Sequence, residues 1–266
     1  MMVSQKKVKR RLDDDVVFRG IAPSKEKAGA FIMAGDILVD GQVVYKPDRT
    51  VTEDNRIERK EKFSYASRGA LKIENAFRVF GITMEGLDAL DIGISNGGFT
   101  DYMLAHGARL VTGVDVNIQQ VDNRLRQDAR VRLIKANARH LTPEQIGYEP
   151  DVITIDVSFI SVTKILPAFV WFTKSKIIAL IKPQFEARRE QVGKGGVIRQ
   201  LDRHVDVILD LKKRIEDLRY GITGFVPAGV KGRKGNQEYF FLLEYGKNST
   251  INDRIITDEI TDEIKL

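Results

Sequence analysis

Asp91-Ile-Gly-Ile-Ser-Asn-Gly-Gly-Phe-Thr100 joins the apolar run 87–92 to a helical stretch. Gly93, Gly97 and Gly98 let the backbone turn tightly and come close to a ligand before the helix begins. Working outward, further apolar runs lie at 110–116, 131–134, 152–159, 177–181, 222–226 and 239–243, the earlier ones separated by helical stretches. This alternation predicts an α/β fold: a seven-stranded, mostly parallel, Rossmann-like sheet with helices on both faces. Only a Gly- and Lys-rich connection separates the last two runs. It is too short for a crossover helix, so that pair is expected to be antiparallel.

Ligands of open α/β sheets bind beyond the carboxyl ends of the parallel strands. The first strand ends in the glycine loop, and the second at Asp115, an acid placed to accept hydrogen bonds from ribose hydroxyls. The third ends at Asn137 and the fourth at Asp156. NAD is one reading, but the loop lacks regular G-x-G-x-x-G spacing. An antiparallel seventh strand is a methyltransferase feature and favours S-adenosylmethionine. The fifth strand runs into Lys182-Pro-Gln-Phe-Glu186, Glu238 opens the last strand, and Lys72 lies on a helix before the first. Burial beside a second cation is a general way to free a lysine amine for work as a base, with Asp156 and Glu238 as its orienting acids.

The first 60 residues read differently. Basic residues at 6–11 precede an apolar-periodic stretch, Ser24 suits a helix N-cap, and Asp40-Gly41 suits a tight hairpin. Helix, helix, hairpin is the expected order, with polar residues 50–62 as a linker. The second domain is expected over 61–246. A C-terminal tail, 247–266, carries isoleucines at near-helical spacing and is either a docking helix or frayed.

Composition narrows the chemistry. The 266 residues include no cysteine and three histidines, which excludes disulfides and thiolate metal sites and leaves little for a histidine-based one. With 42% of residues hydrophobic and 30% charged the chain reads as a soluble globular protein, and a net charge of +6 favours a polyanionic partner but is also a common solubility feature, so alone it decides little. No apolar run approaches the roughly 18 residues of a bilayer span, and no secretory signal is readable, so a cytoplasmic location is expected.

Arg11-Leu-Asp13, Ser67-Arg68-Gly69, 91–101, Asp156-Val-Ser-Phe-Ile-Ser161, Lys182 to Glu186, Lys194-Gly-Gly196 and Asn236-Gln-Glu238 together resemble the TlyA family, over roughly residues 9–246. Its members carry both haemolysin and FtsJ-like ribosomal RNA methyltransferase names. The resemblance implies a small α+β RNA-binding domain of the alpha-L, or S-four-like, kind ahead of a methyltransferase domain. It implies transfer of methyl from S-adenosylmethionine to a ribose 2′-hydroxyl, of cytidine, in ribosomal RNA or ribosomal subunits. A catalytic tetrad of Lys72, Asp156, Lys182 and Glu238 is implied, without a metal. Asp91, Gly93, Ser95, Asn96, Gly97, Gly98, Phe99, Thr100, Asp115, Asn137, Ala138 and Asp156 are the expected cofactor contacts. RNA contacts are expected from Arg10, Arg11, Arg19, Lys25, Arg68, Arg188, Arg189, Lys194, Lys231 and Arg233. Where family members commonly have Gly, Ala and Thr, this chain has Ala70, Ile94 and Asn96. A membrane-active haemolysin and an RNA-binding protein without catalysis are the competing readings.

Overall fold

A computed structural model describes residues 9–59, 65–193, 195–232 and 235–265. They fall into two compact units that divide between residues 59 and 65.

In the first unit β1 (Lys9–Arg11) leads into α1 (Leu12–Phe18), followed by α2 (Lys25–Met33), β2 (Ile37–Val39), β3 (Gln42–Val43), β4 (Thr50–Thr52) and β5 (Ile57–Arg59). The Ser24 side chain caps α2 by accepting from Lys27 N at 3.2 Å. Asp40 (φ 53°) and Gly41 (φ 79°) both take the left-handed conformation that a two-residue hairpin of this hand requires. Part of the expected linker is structure: β4 pairs with β1 and β5 with β2, both antiparallel. The reason is a sparse pattern in which Val51 and Ile57 point into the core of Leu12, Val16, Ile32 and Val39 while their polar neighbours are less buried.

The second unit comprises α3 (Gly69–Phe80), β6 (Asp88–Ile92), α4 (Gly98–Ala105), β7 (Leu110–Asp115), α5 (Asn123–Gln127), β8 (Val131–Lys135), α6 (Pro143–Ile146) and β9 (Val152–Ile155). After these come β10 (Lys176–Ile181), α7 (Pro183–Glu186), α8 (Leu201–Asp217), β11 (Tyr220–Pro227), β12 (Tyr239–Tyr245) and α9 (Asp253–Lys265). The strands form one sheet of seven in the order β11-β12-β10-β9-β6-β7-β8. β12 is antiparallel to both its neighbours, and the pairs from β10 to β8 are parallel. Period-two alternation builds a core on each face. Ile177, Ala179, Ile181, Tyr239 and Phe241 pack with α8 residues on one side. Ile178, Leu180, Phe240 and Leu242 pack with α3 and α4 residues on the other.

One sequence expectation changes here and an open one is settled. The fourth strand stops at Ile155 rather than continuing to Phe159, because Val157, Ser158 and Ser161 are claimed by side chains from the next strand's end. Of the two readings of the tail, the docking helix is the one observed. Helix α9 docks through fully buried Ile256 and Ile260, and Lys212 of α8 bridges Glu216 (2.9 Å) and Asp253 (3.2 Å) beside it. Among the described residues no helix is long and apolar enough to cross a membrane.

Candidate active site

Adjacent strand ends bring the chemistry together. Asp91, the last residue but one of β6, is 1% exposed and accepts from Thr100 Oγ1 (2.7 Å) and Thr154 Oγ1 (2.8 Å), so it ties β6 to the start of α4 and to β9. Burial pushes its carboxyl up to about 6, with nearby Asp156 acting in the same direction. Between about pH 4 and 6 the folded chain therefore keeps a proton that the unfolded chain has released, and stability falls as pH rises through that window. Asp91→Asn is expected to flatten that fall, measured as urea unfolding free energy against pH. Parallel curves for the two proteins would refute it.

The loop after Asp91 is shaped by its neighbours. Gly93 (φ 83°) lies so close to the Asp156 carbonyl, and Gly97 (φ 96°) to the Leu125 side chain, that a Cβ at either position would collide. Ile94 covers Gly113 in the same way, which suits this chain's departure at position 94. Asp115, half-buried, accepts from Ser95 N (3.1 Å) and Asn117 N (2.9 Å), joining the loop to the end of β7. Ser95, Asn96 and Asn137 are exposed, Ala138 is half-buried, and Phe99, Thr100, Gly97 and Gly98 are buried in the frame. The side chains of Asp91, Phe99 and Thr100 thus hold the loop in shape from behind. Sequence reasoning missed Val116, an exposed apolar side chain beside Asp115, because it reads as the end of a strand.

The four residues of the tetrad form two ion pairs. Lys182 follows β10, and its Nζ donates to Asp156 Oδ1, to Val157 O (3.1 Å) and to Ser158 Oγ (3.1 Å). Three N–H donors thus meet three acceptors, and the ammonium is fully satisfied. Lys72 of α3 donates to Glu238 Oε2 at 2.5 Å, with side-chain exposures of 14% and 3%. Ile181 and Tyr239 close the β10–β12 ladder, so Lys182 and Glu238 occupy the next facing positions on neighbouring strands. Gly232 sits so tightly on Glu238 that a side chain there would strike the carboxylate.

Beyond Asp156, Phe159 is 88% exposed in the left-handed conformation (φ 65°), its ring 4.9 Å from that of Phe185. A large, exposed aromatic in a strained backbone conformation on the loop that Lys182 holds is a functional signal. The run 152–159 concealed it, since Phe159 reads as strand. Farther back, buried His204 contacts Ile198 O (2.9 Å) and the Tyr239 hydroxyl (3.3 Å), and Asn236 Nδ2 donates to Gly196 O (3.0 Å). Burial holds the His204 imidazole below its usual range, so it is a neutral tie for the segment before α8.

Three comparisons place this geometry. A family model described as FtsJ-like methyltransferase matches residues 65–245, and an S4 domain model matches 10–57. The 16S/23S rRNA (cytidine-2′-O)-methyltransferase TlyA of Mycobacterium tuberculosis is 35% identical over 255 residues, 94% of this chain and 95% of that protein. The chain belongs to the TlyA family. Hemolysin A of Brachyspira hyodysenteriae is 40% identical over 233 residues, 86% of this chain and 97% of that protein. A Streptococcus thermophilus structure described as a candidate hemolysin superposes with a TM-score of 0.74 at 34% identity, covering 98% and 97% of the two chains.

The expected RNA contacts of this TlyA-family chain are unevenly placed. In the first unit, Arg10 (3.4 Å) and Arg19 (2.6 Å) pair with buried Asp15, Arg11 (2.7 Å) with buried Asp13, and Lys25 (2.7 Å) with Asp14. Arg10 also lies 3.9 Å over the ring of exposed Phe18. In the second unit Arg68, Arg188, Arg189 and Lys231 are exposed. Lys194 and Arg233 lie outside the described residues.

Proposed function

We infer that this protein transfers a methyl group from S-adenosylmethionine to the ribose 2′-hydroxyl of a cytidine in ribosomal RNA. The observation that carries this reading is the fully hydrogen-bonded Lys182–Asp156 pair beside the glycine loop, with Lys72–Glu238 at the adjoining strand end.

The residues present suit the cofactor. Asp115 uses two of about four acceptor sites on its carboxylate, leaving capacity for a ribose diol. Exposed Val116 offers an apolar surface for adenine, while Ser95 and Asn96 present polar groups on the exposed side of the loop. When bound, the cofactor supplies an electrophilic methyl on a sulfonium. A substrate hydroxyl reaches Lys182 by displacing Ser158 Oγ or Val157 O, the two longer of its three contacts. Lys182 then passes one proton to Asp156 and takes the 2′-proton as oxygen attacks, so the released proton resides on Asp156 before leaving to solvent. Lys72 and Glu238 hold the neighbouring strand end and its charge in place. Phe159 stacks on the target base, and the basic residues of both units grip phosphates.

Labelled methyl transfer to purified ribosomal subunits and naked ribosomal RNA, read by nucleoside mass spectrometry, tests the reading. A 2′-O-methylcytidine is expected, and cofactor binding without incorporation into either RNA would overturn it. Phe159→Ala is expected to raise KM for RNA roughly 5- to 150-fold, since stacking a base is worth about 1–3 kcal/mol. An unchanged KM would remove Phe159 from the site.

A further inference from the structure

Helix α7 is a single turn, and the residues at its two ends grip one loop. Lys182, its N-cap, holds the near side of segment 156–162 through Asp156, Val157 O and Ser158 Oγ. Glu186, the last residue of the turn, holds the far side. Its Oε2 accepts from Ser161 Oγ at 2.5 Å and its Oε1 from Val162 N at 2.8 Å, with the side chain 3% exposed. Phe159 lies between these anchor points in a conformation that a bulky residue does not adopt unaided, and its ring meets Phe185 of the same turn. Burial pushes the Glu186 carboxyl above its usual range, yet two donors and Arg214, 4.0 Å away, face it.

We propose that Glu186 is a positioning residue for RNA recognition: with Lys182 it clamps the 156–162 loop from both sides, so that Phe159 is held outward as a preformed platform for the target base. The proposal rests on the methyltransferase reading above and adds a residue that touches neither cofactor nor reacting atoms. A platform held in place before RNA arrives avoids the ordering cost that a free loop would bring to binding. Its loss therefore weakens binding in ground and transition states alike and appears in KM, with kcat little changed.

Two substitutions separate positioning from charge. Glutamine at this position, Glu186→Gln, still accepts from Val162 N through its carbonyl and donates to the Ser161 hydroxyl, which can turn to accept. Glu186→Ala makes neither bond. Hydrogen–deuterium exchange of amides 157–162, together with steady-state methyl transfer to ribosomal subunits, is the measurement. Glu186→Ala is expected to speed exchange in that segment and raise KM roughly tenfold, with Glu186→Gln close to wild type. Ser161→Ala, which removes a partner without touching the glutamate, is expected to shift exchange in the same direction. In a Phe159→Ala background, Glu186→Ala should add little, because both changes act through one ring. Multiplying effects, equal damage from glutamine and alanine, or unaltered exchange in Glu186→Ala would each overturn the proposal. Absence of transfer by the wild-type protein would instead sink the methyltransferase reading, and the exchange data would still judge the clamp.

Discussion

Lys182→Ala is expected to lower methyl transfer by about 10²–10⁴-fold, the usual contribution of a positioned proton-transfer group, with cofactor affinity by calorimetry near wild type. The lysine's contacts are Asp156, Val157 and Ser158, none of them on the glycine loop, so its loss leaves the loop's own hydrogen bonds intact. Asp156 has 28% of its side chain exposed and can be solvated once its partner is gone, so the variant folds. Lys182→Arg separates donation from proton transfer: arginine restores charge and donors but does not deprotonate. An active Lys182→Arg protein would rule out proton relay through residue 182, and an active, folded Lys182→Ala protein would remove the residue from catalysis altogether.

The second large effect is on stability. Lys72 and Glu238 differ in their access to water, and so the two halves of the pair are not equivalent. Lys72→Met strands an almost fully buried carboxylate and is expected to cost about 3–5 kcal/mol in urea unfolding, as for other broken buried pairs. Glu238→Gln is expected to cost less, because the more exposed ammonium can turn toward solvent. Combining Lys72→Met with Glu238→Gln should recover part of the loss, since the uncompensated charge disappears. Equal costs for the two single changes would show that burial does not govern this pair.

Much of this organisation was legible in residue order. Strand runs, the glycine loop and the antiparallel final pair follow from period-two alternation and connection length, both local properties. The tetrad followed from the family resemblance joined to the strand ends. What escaped depends on direction or on distant partners. Nothing local says that both oxygens of Asp91 face Thr100 and Thr154 rather than a ligand. Strands β4 and β5 are three residues each with one buried apolar residue apiece, too little periodicity to rise above a polar stretch. Phe159 sits at the end of an apolar run that reads as strand, and only side chains from residues 182 and 186 pull its neighbours out of the sheet. The pairing of Arg19 with Asp15, one helical turn apart, was readable in principle. That of Arg11 with a buried Asp13 needed the fold.

The closeness of Gly93 to the Asp156 carbonyl has a thermodynamic side. Main-chain atoms of the glycine loop and of the Asp156 segment are in direct van der Waals contact, with no intervening side chain to absorb a shift. A shift of the loop at Gly93 therefore displaces the peptide that carries Asp156, and if that contact couples two ligands, linkage makes the coupling mutual: each changes the other's affinity by the same factor.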